Sequence, residues 1–257
     1  TSATINILLF NQERIVVAAE GRILGGEHSR IITDSYNKIT RIGKYAAISW
    51  NGITDIYTGE SKLQSIQHII NDFKIQNGIG DSVIISPKDI ADSLNIKFTQ
   101  LFNKDTLNTD TNKFYLFIFG YTENHNRQIY QFTFPSDGQT NNNSINLKGK
   151  IEELNNNKQV GLAIKGEAEV YYRLMDGYDT RLANIECLTK GLKNEVQYLL
   201  PLNLLTINDM IDFAIFIIET TNKMNRFNYK SNDGVGGDID IAVITPYEGF
   251  RWIQLDE

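Results

Sequence analysis

The sequence predicts a mixed α+β fold, a four-layer αββα sandwich built from a single domain over residues 1–257. Three observations lead there. Strand-like segments come in hairpin-spaced pairs at both ends of the chain. Helix-period segments form two pairs, one after each group of strands. A chain of 257 residues, 41% of them hydrophobic, also has the material for a large core. Such elements bury their apolar faces most economically with the helices outside two stacked sheets. A doubly wound parallel sheet is the alternative, and the hairpin spacing speaks against it, because only antiparallel strands can be joined so tightly.

From Ala3 to Phe10 the chain alternates and then runs apolar, and Ile15 to Gly21 follows after the polar break Asn11-Gln12-Glu13-Arg14, which reads as a hairpin. Asn37 to Ile42 and Tyr45 to Gly52, joined at Gly43-Lys44, read as a second pair, so four strands are expected before any helix. Leu63, Ile66, Ile69, Ile70 and Phe73 then recur at three- and four-residue spacing, which predicts an amphipathic helix over Lys62 to Lys74. Pro87 suits a first helical turn, and Ile90, Leu94, Ile96, Phe98 and Leu101 continue that helix, with imperfect phasing. Strands resume at Lys113 to Thr122 and Arg127 to Phe134, and the polar stretch Ser136 to Ser144 is expected to be a surface loop. Gln159 to Ile164 reads as a short strand, with helices at Gly166 to Met175 and Leu192 to Leu200. Thr206, with Asp209 three residues on, opens a further helix whose apolar stripe is Ile207, Met210, Ile211, Ala214, Ile217 and Ile218. Val235 to Pro246 and Gly249 to Leu255 close the chain as two strands.

Composition excludes several classes of function. The net charge of −6 argues against a nucleic-acid partner, which needs clustered Lys and Arg. No run of about eighteen apolar residues is present and the start lacks a basic-then-apolar signal, so no membrane association and a cytoplasmic location are expected. The single cysteine, Cys187, has no internal partner for a disulfide, and three histidines without paired spacing offer no zinc-type site. Neither a metal nor a cofactor is expected.

The sequence begins at Thr1 and not at methionine. This has an ordinary explanation in removal of an initiator Met, or in a chosen boundary, and it also has a chemical one. A threonine hydroxyl is a poor nucleophile that needs a base, and an N-terminal threonine carries one in its own α-amino group. That group titrates at about 7.7–8.0, near working pH, so it can take and return a proton without a histidine.

Several segments, taken in order, sharpen this expectation: Thr1; Ala18-Ala19-Glu20-Gly21-Arg22; Asn37-Lys38-Ile39; Ser49-Trp50-Asn51-Gly52; the run from Gln159 to Gly166; and Val235-Gly236-Gly237 opening the strand to Thr245. Together they resemble the β-type subunits of the proteasome and their bacterial relatives, over roughly residues 1 to 55 and 159 to 253. The resemblance implies the N-terminal nucleophile hydrolase fold and a threonine peptidase working through an acyl-enzyme on Thr1. It implies that the Lys38 ammonium stabilises the developing alkoxide and keeps the amine deprotonated by like-charge repulsion. Glu20, where the family usually has Asp, would hold Lys38, and Arg22 would support the pair. The Gly52 N–H matches the oxyanion donor. The carboxylate supporting the amine falls at Asn232 or, with a one-residue slip, at Asp233, which is favoured. Lys165 stands where the family commonly has a serine bonding the amine. A primary substrate pocket would be lined by Ile23, Tyr36 and Trp50, with the tryptophan leaving little depth.

Peptide or unfolded-protein substrates and a homo-oligomer of ring type are the partners the resemblance implies. Acyl transfer to an amine, as in a peptide ligase or transamidase, and a catalytically silent structural subunit are the competing readings.

Overall fold

The computed structural model describes residues 4–25, 30–58, 62–102, 113–141, 144–156, 158–177, 198, 200–227 and 234–254. In chain order the strands are β1 (Ile5–Phe10), β2 (Ile15–Glu20), β3 (Ile23–Gly25), β4 (Arg30–Thr33), β5 (Ile39–Ile42), β6 (Ala46–Gly52), β7 (Asp55–Thr58) and β8 (Lys62–Ser65). Helices α1 (Ile66–Gln76) and α2 (Pro87–Phe102) follow, then β9 (Phe114–Tyr121), β10 (Arg127–Asn141), β11 (Ser144–Glu153) and β12 (Gly161–Gly166). A short helix α3 (Glu169–Tyr171), a wide turn over Tyr172–Asp176, helix α4 (Ile207–Phe227), β13 (Ile239–Thr245) and β14 (Gly249–Ile253) complete the described elements.

Two five-stranded sheets organise the molecule, with strand orders β12-β1-β2-β13-β14 and β11-β10-β9-β6-β5. Their pairings are antiparallel throughout, so the fold is a mixed α+β one with antiparallel sheets. Strand alternation sorts side chains into three cores. On β1, Ile5, Ile7 and Leu9 face Met210, Ala214 and Ile217 of α4, while Leu8 and Phe10 join Phe117 and Phe119 of β9. On β6, Ala46, Ile48 and Trp50 pack with Ile69, Ile70 and Leu94 of α1 and α2, and Ala47 points the other way. Burial on both faces explains why β1 and β2 read as continuous apolar runs.

The hairpins expected from the sequence are present: β1 with β2, β5 with β6, β9 with β10, and β13 with β14. Helix α4 begins as its composition predicts, since the backbone N–H of Thr206 donates to Asp209 Oδ2 (2.8 Å) and that of Asp209 donates to Thr206 Oγ1 (3.2 Å).

Four expectations are corrected. Among the described residues eight strands, not four, precede the first helix, because the short pairs β3–β4 and β7–β8 are too brief to give a periodic signal. The helix expected from Lys62 starts at Ile66, where the Ser65 side chain caps the His68 N–H, and residues 62–65 belong to β8. The described residues of the polar stretch Ser136 to Ser144 are strand and not loop, since β10 runs on to Asn141 and pairs with β11, with register shifts at Ser136. That pairing is made by backbone at a sheet edge, which polar side chains tolerate. The helix expected over Gly166 to Met175 runs from Glu169 to Asp176, the wide turn over Tyr172–Asp176 being its π-helical continuation, and it starts late because Gly166, at φ +97°, still ends β12. The helix expected at Leu192 to Leu200 falls outside the described residues except for Tyr198 and Leu200. Among the described residues no helix is long and apolar enough to cross a membrane.

Candidate active site

The end of β2 delivers Glu20 into a fully buried position, and the residue before β5 delivers Lys38, which is 2% exposed. Lys38 Nζ donates to three acceptors: Glu20 Oε1 at 2.9 Å, the Arg22 carbonyl at 2.7 Å and Thr4 Oγ1 at 3.0 Å. Glu20 and the Arg22 carbonyl can only accept, the Thr4 hydroxyl can accept or donate, and with the hydroxyl accepting all three protons of a Lys38 ammonium are engaged. The other oxygen of Glu20 accepts from the backbone N–H groups of Arg22 (2.8 Å) and Gly236 (3.2 Å). A carboxyl surrounded only by donors is a carboxylate. Burial pushes Glu20 above and Lys38 below its ordinary range, and each charge opposes the shift of the other. Nearby, burial raises Asp240 to about 6.

Arg22 ties this pair to the C-terminal strands. Its Nε donates to Asp34 Oδ1 at 2.7 Å and its backbone N–H to the Gly236 carbonyl at 3.0 Å. The two glycines before β13 are required here by space. A Cβ on Gly236 would stand 2.5 Å from Arg22 Cζ, and one on Gly237 would stand 2.2 Å from the Asp34 carbonyl oxygen. Segments more than two hundred residues apart in sequence, singled out separately as motifs, therefore meet around one carboxylate.

Thr4, immediately before β1, is 1% exposed. Its carbonyl accepts from the Glu167 N–H (2.9 Å) and from Asn51 Nδ2 (3.0 Å), which also donates to the Lys165 carbonyl (3.2 Å). Asn51 thus joins the head of β1 to the end of β12 from the facing sheet. Gly166 makes the approach possible, for a Cβ there would lie 1.5 Å from the Thr4 carbonyl oxygen.

The structure brings Glu20, Lys38 and Arg22 together as the sequence suggested. Thr1, Asn232 and Asp233 lie outside the described residues. The threonine hydroxyl at the lysine is that of Thr4, which the sequence reading passed over in favour of Thr1; its position directly before the apolar run of β1 was the available signal. Asn51 was also missed, since its partners are backbone carbonyls that no motif announces. Gly52 has φ +109°, and a Cβ there would stand 2.6 Å from the Lys113 carbonyl oxygen, so glycine is needed at this point for close approach to the start of β9. The Lys165 ammonium lies over the Tyr115 ring, with its Nζ 5.1 Å from the centroid.

Of the expected pocket residues, Ile23 is buried at the start of β3, and Tyr36 meets Trp50 edge to face at 6.2 Å. Trp50 is 1% exposed and belongs to the core beneath α1 and α2. Among the described residues its indole N–H has no hydrogen-bond partner.

No protein-family model matches the sequence, and no curated protein matches it either.

Proposed function

We propose that this chain is a hydrolase of the proteasome-like, N-terminal nucleophile kind, cleaving peptide bonds through an acyl-enzyme on a threonine at the head of β1, and that this threonine is Thr4. The observation that carries the reading is the 3.0 Å contact between Lys38 Nζ and Thr4 Oγ1, made by a buried ammonium that Glu20 and the Arg22 carbonyl hold in place. An ammonium in that position lowers the cost of alkoxide formation in a site with little water. The four-layer αββα arrangement belongs to the same proposal. Its support is the order of the three cores: one under α1 and α2, one between the sheets, one under α4.

In this mechanism the α-amino group of Thr4 takes the hydroxyl proton as Oγ1 attacks the peptide carbonyl, returns it to the leaving amine, and then activates the water that releases the acyl group. The amine must be free for this, which requires the bond between Ala3 and Thr4 to be cut.

A second reading, a catalytically silent subunit, is favoured by the sealing of the site. Thr4 is 1% exposed, and its carbonyl and hydroxyl both have partners inside the fold. Hydrolysis of fluorogenic peptides by the full chain separates the two. The enzymatic reading expects turnover that Thr4→Ala abolishes and Thr1→Ala leaves in place, in protein whose intact mass lacks residues 1–3. An uncut chain without turnover, unchanged by Thr4→Ala, is the result the silent reading expects.

A further inference from the structure

Thr4 is held from three directions. Its hydroxyl meets the Lys38 ammonium at 3.0 Å, and its carbonyl accepts from Asn51 Nδ2 at 3.0 Å and from the Glu167 N–H at 2.9 Å. Lys38 and Asn51 come from one sheet, before β5 and in β6, whereas Thr4 opens β1 of the other and Glu167 follows β12 beside it. The second proton on Asn51 Nδ2 goes to the Lys165 carbonyl at 3.2 Å. Both partners are acceptors only, which fixes the orientation of this buried amide. Gly166 leaves room for it, because a Cβ there would stand 2.5 Å from Asn51 Nδ2. The Glu167 N–H already gives the Thr4 carbonyl a partner, so the Asn51 bond is not needed to satisfy a buried acceptor. What it adds is a fixed direction across the gap between the sheets.

We propose that Asn51 is a positioning residue for Thr4: its amide fixes the main chain at the head of β1 so that Oγ1 stays on the Lys38 ammonium. Threonine has one torsion, χ1, between its backbone and its hydroxyl, and branching at Cβ makes that torsion stiff. A turn of the Thr4 main chain therefore carries Oγ1 with it. With the carbonyl and the hydroxyl both tied to the same sheet, such a turn breaks one bond or the other. Asn51 also precedes Gly52, the expected oxyanion donor, so the same side chain ties the attacking residue to the part of β6 where negative charge would develop. The hold on Thr4 is independent of the chemistry, and its kinetic effect rests on the hydrolase reading of Thr4.

Two variants of the isolated protein test it: Asn51→Leu, close in size but without a donor, and Asn51→Ala, whose space a water can fill. The alanine variant stands alone if leucine proves too bulky to fold. The first readout is hydrogen exchange of the Lys38 ammonium by heteronuclear NMR, beside the backbone amides of Ile7 and Ile48 in the core strands. Loss of the Thr4 contact frees one ammonium proton, so its exchange is expected to rise at least about tenfold while the two amides keep wild-type protection. Unchanged exchange at Lys38 overturns the proposal. Loosening of Ile7 and Ile48 in step with Lys38 also overturns it, since that marks a merely structural role. The second readout is peptide turnover, where kcat is expected to fall about a hundredfold with KM near that of the wild type. A raised KM with unchanged kcat would place Asn51 on the substrate and overturn the positioning role. A wild type without turnover removes the hydrolase reading of Thr4 and leaves the ammonium readout to decide on Asn51.

Discussion

The hydroxyl of Thr4 lies 3.0 Å from Nζ of Lys38, and the ammonium that reaches it has no proton left for any other group. This relationship sets both the chemistry available at the head of β1 and the stability of the core beneath it.

Removing one member of the buried pair leaves the other charged and uncompensated. Lys38→Met is expected to cost about 3–5 kcal/mol, and the double variant Glu20→Leu with Lys38→Met to recover part of that loss. Urea midpoints of the single and double variants check this. A single variant as stable as the wild type would mean the pair is not charged in the folded protein.

Asp240 supplies a pH dependence. Its carboxyl titrates at about 6 in the fold against an ordinary 3.8. The folded state therefore holds a proton that the unfolded chain has released in that window. The contribution of this group is greatest below its unfolded value and is lost as pH rises towards about 6. Asp240→Asn, which keeps an acceptor for the Lys38 N–H, is expected to stabilise the protein at pH above this window relative to pH below it. Denaturation of both proteins across the window is the measurement.

Gly166→Ala meets two obstacles, a φ of +97° and a Cβ 1.5 Å from the Thr4 carbonyl oxygen. A loss of more than about 1–3 kcal/mol is expected, because the strand head must shift as well as strain. Gly80→Ala, with nothing within 4 Å of the new methyl, should melt within a few degrees of wild type. Equal effects from the two would contradict the packing described around Thr4.

Trp50→Ala distinguishes a core residue from a pocket wall. With the indole 1% exposed beneath α1 and α2, truncation is expected to cost about 3–5 kcal/mol in a chemical denaturation experiment. A variant of unchanged stability with altered peptide preference would return Trp50 to the substrate pocket.

What the sequence made legible was what alternation and local capping encode. The β1–β2 hairpin was marked by its polar break, and α4 by the reciprocal bonds between Thr206 and Asp209. The β10–β11 extension was hidden because Ser136 to Ser144 has no apolar alternation and pairs through its backbone. At the site, Glu20, Lys38, Arg22 and Gly236 were found as separate motifs that the fold joins. Thr4 was overshadowed by the residue that opens the sequence. The environment of Lys165 followed from register: it stands opposite Asn6, whose side chain bonds Ser49 of the facing sheet, so Lys165 also points between the sheets and reaches Tyr115.

Tandem mass spectrometry of the isolated protein after exposure to a β-lactone, which acylates an activated hydroxyl, distinguishes Thr4 from Thr1 as the nucleophile. A covalent adduct is expected on Thr4, in chains that begin at Thr4, and it is lost in Lys38→Met and in Thr4→Ala. An adduct on Thr1, or modification of Thr4 that persists without the Lys38 ammonium, would contradict this assignment.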